Sequence, residues 1–210
     1  MDYSFGKKDL KILFIRGMGC DVEKEHENIT RTYLESIKAR LEYCLKPYVI
    51  EIAQLDGSGN RDKWLRVLEK YDLESYDVII GHSTGVHALL KCAEKRKLKN
   101  LLLTGATPFH NYVRSEILTG WFEEPWDYEK IRSNTNKIII CNGKEDPFIK
   151  PEEAKILAEN LNCKLYLFKR QRHLSEWWHS HIIDESGLSR VNRIVMKLVE
   201  ELCEDIKNKK

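Results

Sequence analysis

The chain has 210 residues, enough for one domain of moderate size with a buried core. Basic and acidic residues nearly cancel, leaving a net charge of +2, although 32% of the chain is charged. That balance leaves no basic stripe of the kind nucleic-acid binding needs, and the closing Lys-Asn-Lys-Lys reads as a solvated end.

Taken in chain order, short β-rich runs alternate with amphipathic stretches. Lys11–Arg16 (KILFIR) reads as a buried strand, and residues 28–44 as a helix with Ile29, Tyr33, Ile37 and Leu41 at three-to-four spacing. Residues 48–53 (YVIEIA) read as a strand, 61–71 as a helix, 76–80 (YDVII) as a strand, and 84–96 as a helix. Three further strands are expected at 100–104 (NLLLT), 137–141 (KIIIC) and 164–168 (KLYLF). A helix at 151–161 opens on Pro151, a residue favoured in a first turn, and residues 189–206 form a last amphipathic helix. Apolar strands alternating with helices predict an α/β fold with a mostly parallel sheet covered on both faces. No repeat or linker interrupts it, so residues 1–210 are expected to form a single domain. One stretch, 105–127, lacks periodicity and holds Phe109, His110, Tyr112, Trp121, Phe122 and Trp126; connections of that length are often functional.

The six cysteines are irregularly spaced without a C-x-x-C, no signal-like segment opens the chain, and no apolar run approaches a membrane span. The expectation is reduced thiols in a cytoplasmic protein that is monomeric and does not bind membranes or nucleic acid.

The strand 76–80 runs into Gly81-His82-Ser83-Thr84-Gly85, a G-x-S-x-G pattern. The bare pattern arises by chance in roughly one chain in fifteen of this length, but a strand before it and a helix after it are what a nucleophilic serine on a sharp, strained turn requires. The competing reading is a glycine-rich turn whose serine caps the helix. A nucleophile needs a base and an orienting acid, in the chain order Ser, Asp or Glu, His. After KIIIC comes Asn142-Gly-Lys-Glu-Asp146-Pro, which offers Asp146 as the acid with Glu145 as its rival. After KLYLF comes His173, with His179 and His181 further on; His173 is nearest the strand end and is the candidate base. His179-x-His181 lacks further ligands at suitable spacing, so no metal is expected. The helix start offers the Thr84 N–H to an oxyanion, and the early loop Arg16-Gly17-Met18-Gly19 offers the Met18 N–H. That loop lacks the remaining glycines and the Lys-Ser/Thr of nucleotide-binding motifs.

With these residues placed, the chain resembles the small α/β-hydrolase-fold serine hydrolases named after the retinoblastoma-binding hydrolase, together with their bacterial relatives. The most specific pieces are VIIGHSTG, GWFEEPWDYEKI followed by KIIICNGKEDPF, and the histidine after the next strand. The resemblance implies an α/β-hydrolase fold without a large cap domain. It also implies hydrolysis of small esters or amides through Ser83, Asp146 and His173, with backbone donors at Thr84 and Met18 and no cofactor. Trp121, Phe122 and Trp126 are expected to bind substrate. The chain departs from the family at Arg172, where glycine usually precedes the histidine, and at the first loop, which usually reads Pro-Gly-x-Gly-Gly. Those departures motivate the alternative of a catalytically impaired hydrolase-fold protein that binds or scaffolds. An L-x-C-x-E string at Leu90–Glu94 falls inside an expected helix, so binding of a retinoblastoma-type protein is not supported.

Overall fold

The computed structural model describes residues 10–18, 49–110, 114–174, 194–195 and 197–203. The helix expected at 28–44 and the pair His179 and His181 lie outside the described residues.

Six strands form one sheet: β1 (Lys11–Ile15), β2 (Val49–Ile52), β3 (Val78–His82), β4 (Leu98–Thr104), β5 (Thr135–Gly143) and β6 (Lys164–Phe168). Their order is β2-β1-β3-β4-β5-β6, and every pairing is parallel. Side chains alternate across each strand, so β1 sends Leu13 and Ile15 to one face and Ile12 and Phe14 to the other, all fully buried. The first face packs on the helices Arg61–Leu68, Thr84–Ala93 and Pro151–Leu161 through Trp64, Leu68, Val86, Leu89, Leu157 and Leu161. The second packs on a C-terminal helical segment through Val195, Leu198, Val199 and Leu202. Each side chain so buried contributes about 1.5–3 kcal/mol, which is what holds a doubly covered parallel sheet together.

Strands β6 and the helix 151–161 fall where the sequence places them, while β4 and β5 are longer than expected. Leu98 pairs with Thr135, which carries the β4–β5 ladder beyond the apolar runs that mark strands in sequence. The aperiodic stretch 105–127 contains one described helical turn, Arg114–Ile117, and is followed by the short helix Tyr128–Ser133.

The sheet order places the functional end. From β1 the chain passes outward to β2 and then returns to β3 on the other side of β1. The strand order therefore reverses between β1 and β3, and in open parallel sheets ligands gather at the carboxyl ends of the strands flanking such a switch point. Ser83 sits at the end of β3, and the Arg16–Met18 loop at the end of β1.

Candidate active site

Ser83 stands between β3 and the helix Thr84–Ala93 with φ 53° and ψ −124°, a backbone that L-residues rarely adopt. The turn is held by Ser83 N–H donating to the Thr104 carbonyl at 2.9 Å and by Val86 N–H donating back to the Ser83 carbonyl at 2.8 Å. Gly85 is a steric requirement. A Cβ there would lie 2.2 Å from the Ile15 carbonyl oxygen and 2.6 Å from that of Arg16, so the helix start is pressed directly against the end of β1.

The Ser83 hydroxyl makes no capping bond to its helix. Its Oγ lies 3.0 Å from Nε2 of His173, whose Nδ1 lies 2.8 Å from Oδ2 of Asp146. The Asp146 side chain is fully buried and that of His173 is 13% exposed. An ionised carboxylate only accepts, so Nδ1–H donates to Asp146 and Nε2 is left to accept the Ser83 proton. The other Asp146 oxygen accepts the N–H groups of Phe148 at 2.8 Å and Ile149 at 3.1 Å, a tight turn that aims Oδ2 at the imidazole. Glu145 is exposed and contributes to this corner only through its backbone N–H, which donates to Gln171.

The His173 ring is flanked by Phe148, edge-on with centroids 5.0 Å apart, and by His82 at 5.1 Å. His82 is buried, with Nδ1 3.2 Å from Thr104 Oγ1. Buried Asn142 joins the loops after β4 and β5: its amide donates to the Ala106 carbonyl and its Oδ1 accepts the Ala106 N–H. Arg172 is absent from the residues with positive φ, whereas its neighbours Arg170 and Leu174 both have φ 58°. The position that usually holds glycine therefore has no need of it here.

Thr84 is buried at the first helical position, ahead of the intrahelical hydrogen-bond ladder, where N–H groups face outward. Gly17 lies close to Ser83: a Cβ on it would lie 2.9 Å from Ser83 Cβ and 3.4 Å from Ser83 Oγ. Met18, the next residue, is partly buried against the core.

The three aromatic residues separate into two situations. Trp121 is fully buried, donates its indole N–H to the Gly59 carbonyl at 2.7 Å and meets Trp64 edge-on. Phe122 and Trp126 are half-buried and meet edge-on with centroids 6.1 Å apart. All three surround His87, whose centroid lies 4.8 Å from that of Phe122 and 5.9 Å from that of Trp126. His87 lies one helical turn beyond Ser83, donates Nε2–H to the Thr107 carbonyl, and has no partner for Nδ1. Complete burial depresses its pKa to about 4, partly opposed by that backbone bond. The same segment is tied to the helix by the buried pair Lys91–Glu94 at 2.9 Å. Lys91 also donates to the Pro125 carbonyl and lies over the Trp126 ring, while Glu94 accepts the Asp127 N–H. Leu90 and Cys92 of the L-x-C-x-E string are buried in this helix, and no extended segment is presented there. Neither His87 nor the Lys91–Glu94 pair stands out in the sequence; the one available signal is the successive one-turn spacing of Ser83, His87, Lys91 and Glu94.

Among the described residues there is no cluster of three metal-ligating side chains, Cys92, Cys141 and Cys163 form no disulfide, and no helix is long and apolar enough to cross a membrane.

A parallel sheet covered on both faces, with a strained serine at the end of a central strand and its partners on the loops after later strands, defines an α/β-hydrolase fold. Solved structures agree on the fold. The ydeN gene product of B. subtilis superposes with a TM-score of 0.70 at 17% identity, covering 93% of this chain and 99% of that one. A serine hydrolase from Cycloclasticus zankles gives 0.62 at 13% identity, covering 92% and 90%. Residues 42–198 match the family described as Serine hydrolase, and the chain belongs to that family. It is also 33% identical over 111 residues to serine hydrolase RBBP9 of Rattus norvegicus, a match that spans 52% of this chain and 60% of the relative.

Proposed function

We propose that the protein is an active serine hydrolase that cleaves small carboxylic esters or amides through an acyl-enzyme on Ser83. The observation that carries this reading is the unbroken line Ser83 Oγ, His173, Asp146, in which the hydroxyl forgoes its helix cap and meets the imidazole at 3.0 Å. In the reaction His173 Nε2 removes the Ser83 proton as Oγ attacks the substrate carbonyl carbon. Asp146 fixes the tautomer and steadies the imidazolium. The N–H groups of Thr84 and Met18 receive the oxyanion. Nε2–H then protonates the departing alcohol or amine, leaving the acyl group on Oγ. Water repeats the sequence and releases the acid and the free serine. Phe122 and Trp126 are the aromatic wall for the acyl or leaving group, and buried Trp121 backs them. No metal or cofactor takes part, and the enzyme works as a monomeric single domain in the cytoplasm.

A fluorophosphonate probe tests the reading. Wild-type protein is expected to label, and Ser83→Ala to lose the label. His173→Ala is expected to abolish turnover, while His179→Ala and His181→Ala retain it. Failure of the wild type to label at any pH between about 6 and 9 would leave a binding or scaffolding protein in its place.

A further inference from the structure

Resting on that hydrolase reading, we propose that Arg16 is a positioning residue for the oxyanion hole, acting through the Gly17–Met18 peptide. Arg16 is buried, 5% exposed, at the end of β1. Its guanidinium donates from Nη2 to the Leu55 carbonyl at 2.8 Å and from Nη1 to the Gly17 carbonyl at 3.2 Å. The Gly17 carbonyl and the Met18 N–H belong to one peptide unit. In a planar trans peptide they point in opposite directions, so fixing the carbonyl on one edge fixes the N–H on the other. Gly17 also lies close to Ser83, where even a Cβ would come within 2.9 Å of Ser83 Cβ. A rotation of this peptide would carry the Met18 N–H away from the nucleophile while leaving β1 untouched.

The chemistry suits arginine. Its rigid fork bridges two carbonyls at once, and its charge persists at every working pH. A cation on the carbonyl polarises the peptide and strengthens the opposite N–H as a donor. The donor is therefore oriented and made more acidic before the oxyanion forms, without reorganisation during the reaction. A purely structural brace between the loops after β1 and β2 would behave differently. It would lower thermal stability and loosen substrate binding, and its loss would not single out the transition state.

The test compares wild type, Arg16→Lys and Arg16→Ala in hydrolysis of a short-chain p-nitrophenyl ester, with affinity for an alkyl boronic acid as a tetrahedral mimic and with the thermal midpoint. Arg16→Ala is expected to lose about 10²-fold in kcat, the scale of one oxyanion donor, with KM within about twofold. Boronate affinity falls in parallel, and millimolar methylguanidinium restores part of kcat. Arg16→Lys, which cannot bridge both carbonyls in the same geometry, is expected to lose at least about tenfold in kcat at an unchanged midpoint, and it decides the matter if the alanine variant does not fold. Variants with wild-type kcat, or with changes confined to KM and the midpoint, overturn the role of Arg16 while the hydrolase reading stands. A wild type that neither turns over ester nor labels with fluorophosphonate overturns both.

Discussion

If the proposed hydrolase reading holds, replacing Gly143 by alanine should disable the site without touching Ser83, Asp146 or His173. Gly143 ends β5, and a Cβ on it would lie 1.9 Å from the Arg172 carbonyl oxygen and 2.2 Å from that of Gln171. These are backbone atoms directly before His173, and the two loops are further joined by Glu145 N–H donating to Gln171 and Lys144 N–H donating to Phe168. Moving the Arg172 oxygen from 1.9 to 3.0 Å, the closest distance real Cβ atoms respect, needs a shift of about 1.1 Å. His173 starts 3.0 Å from Ser83 Oγ and 2.8 Å from Asp146 Oδ2, so a shift of that size lengthens one or both beyond hydrogen-bond range. A misplacement of about 1 Å costs on the order of 10²-fold in rate, about 2.7 kcal/mol in the barrier. The measurement is steady-state ester hydrolysis by Gly143→Ala, with circular dichroism to show that it folds and with Lys144→Ala, an exposed neighbour, as the control. The expected outcome is kcat down about 10²-fold with KM little changed. A folded Gly143→Ala enzyme with kcat within about threefold of wild type would refute the claim that this close approach sets the position of the base.

Two further variants probe the helix behind the nucleophile. His87 is held neutral in the fold, its pKa depressed from 6.5 to about 4 by burial, whereas an unfolded chain takes up the proton near 6.5. Between those values the unfolded state binds the extra proton, so stability falls as pH drops from about 6.5 to about 4, by an amount on the order of 3 kcal/mol. Urea denaturation across that window should show a shallower pH dependence for His87→Leu than for wild type, and parallel curves would refute the assignment. Lys91→Met should cost about 3–5 kcal/mol because it strands the Glu94 carboxylate, 13% exposed, without its cation. Lys91→Met with Glu94→Gln should recover most of that loss; a double variant no more stable than the single would show that the ion pair is not what fixes the 125–127 segment.

The approach of Ser83, Asp146 and His173 to one another was legible in the sequence because each follows an apolar strand run, and parallel sheets gather such positions at one edge. Position alone favoured Asp146 over Glu145; in the structure Asp146 is the one that meets His173, with the Phe148 and Ile149 N–H groups on its second oxygen, while Glu145 is exposed. Gly143 carried no such signal, since its close approach is to the backbone of Gln171 and Arg172, which lie far along the chain. The stretch 105–127 showed no period because its residues answer to separate neighbours: Trp121 to Gly59, Trp126 to Pro108, and Pro125 to Lys91. A helical turn as short as Arg114–Ile117 has no repeat from which to infer it.

The departure at Arg172 bears on the proposed role of His173 as base, and the backbone is compatible with that role. Strain lies on either side of Arg172, at Arg170 and Leu174, each with φ 58°, and a left-handed non-glycine residue costs about 1–3 kcal/mol. Leu174 offsets this locally. Its side chain is fully buried in the core on the second face of the sheet, with Val195, Leu198 and Leu202, and such burial contributes about 1.5–3 kcal/mol. The residue directly after His173 is thus pinned by the core, while Gly143 and the Glu145 N–H hold the two residues directly before it. An imidazole fixed from both sides can stay aligned with Asp146 and Ser83 without glycine at position 172. The side chain at 172 is then free to be a charged one, because the conformation of the base depends on its neighbours and not on that residue.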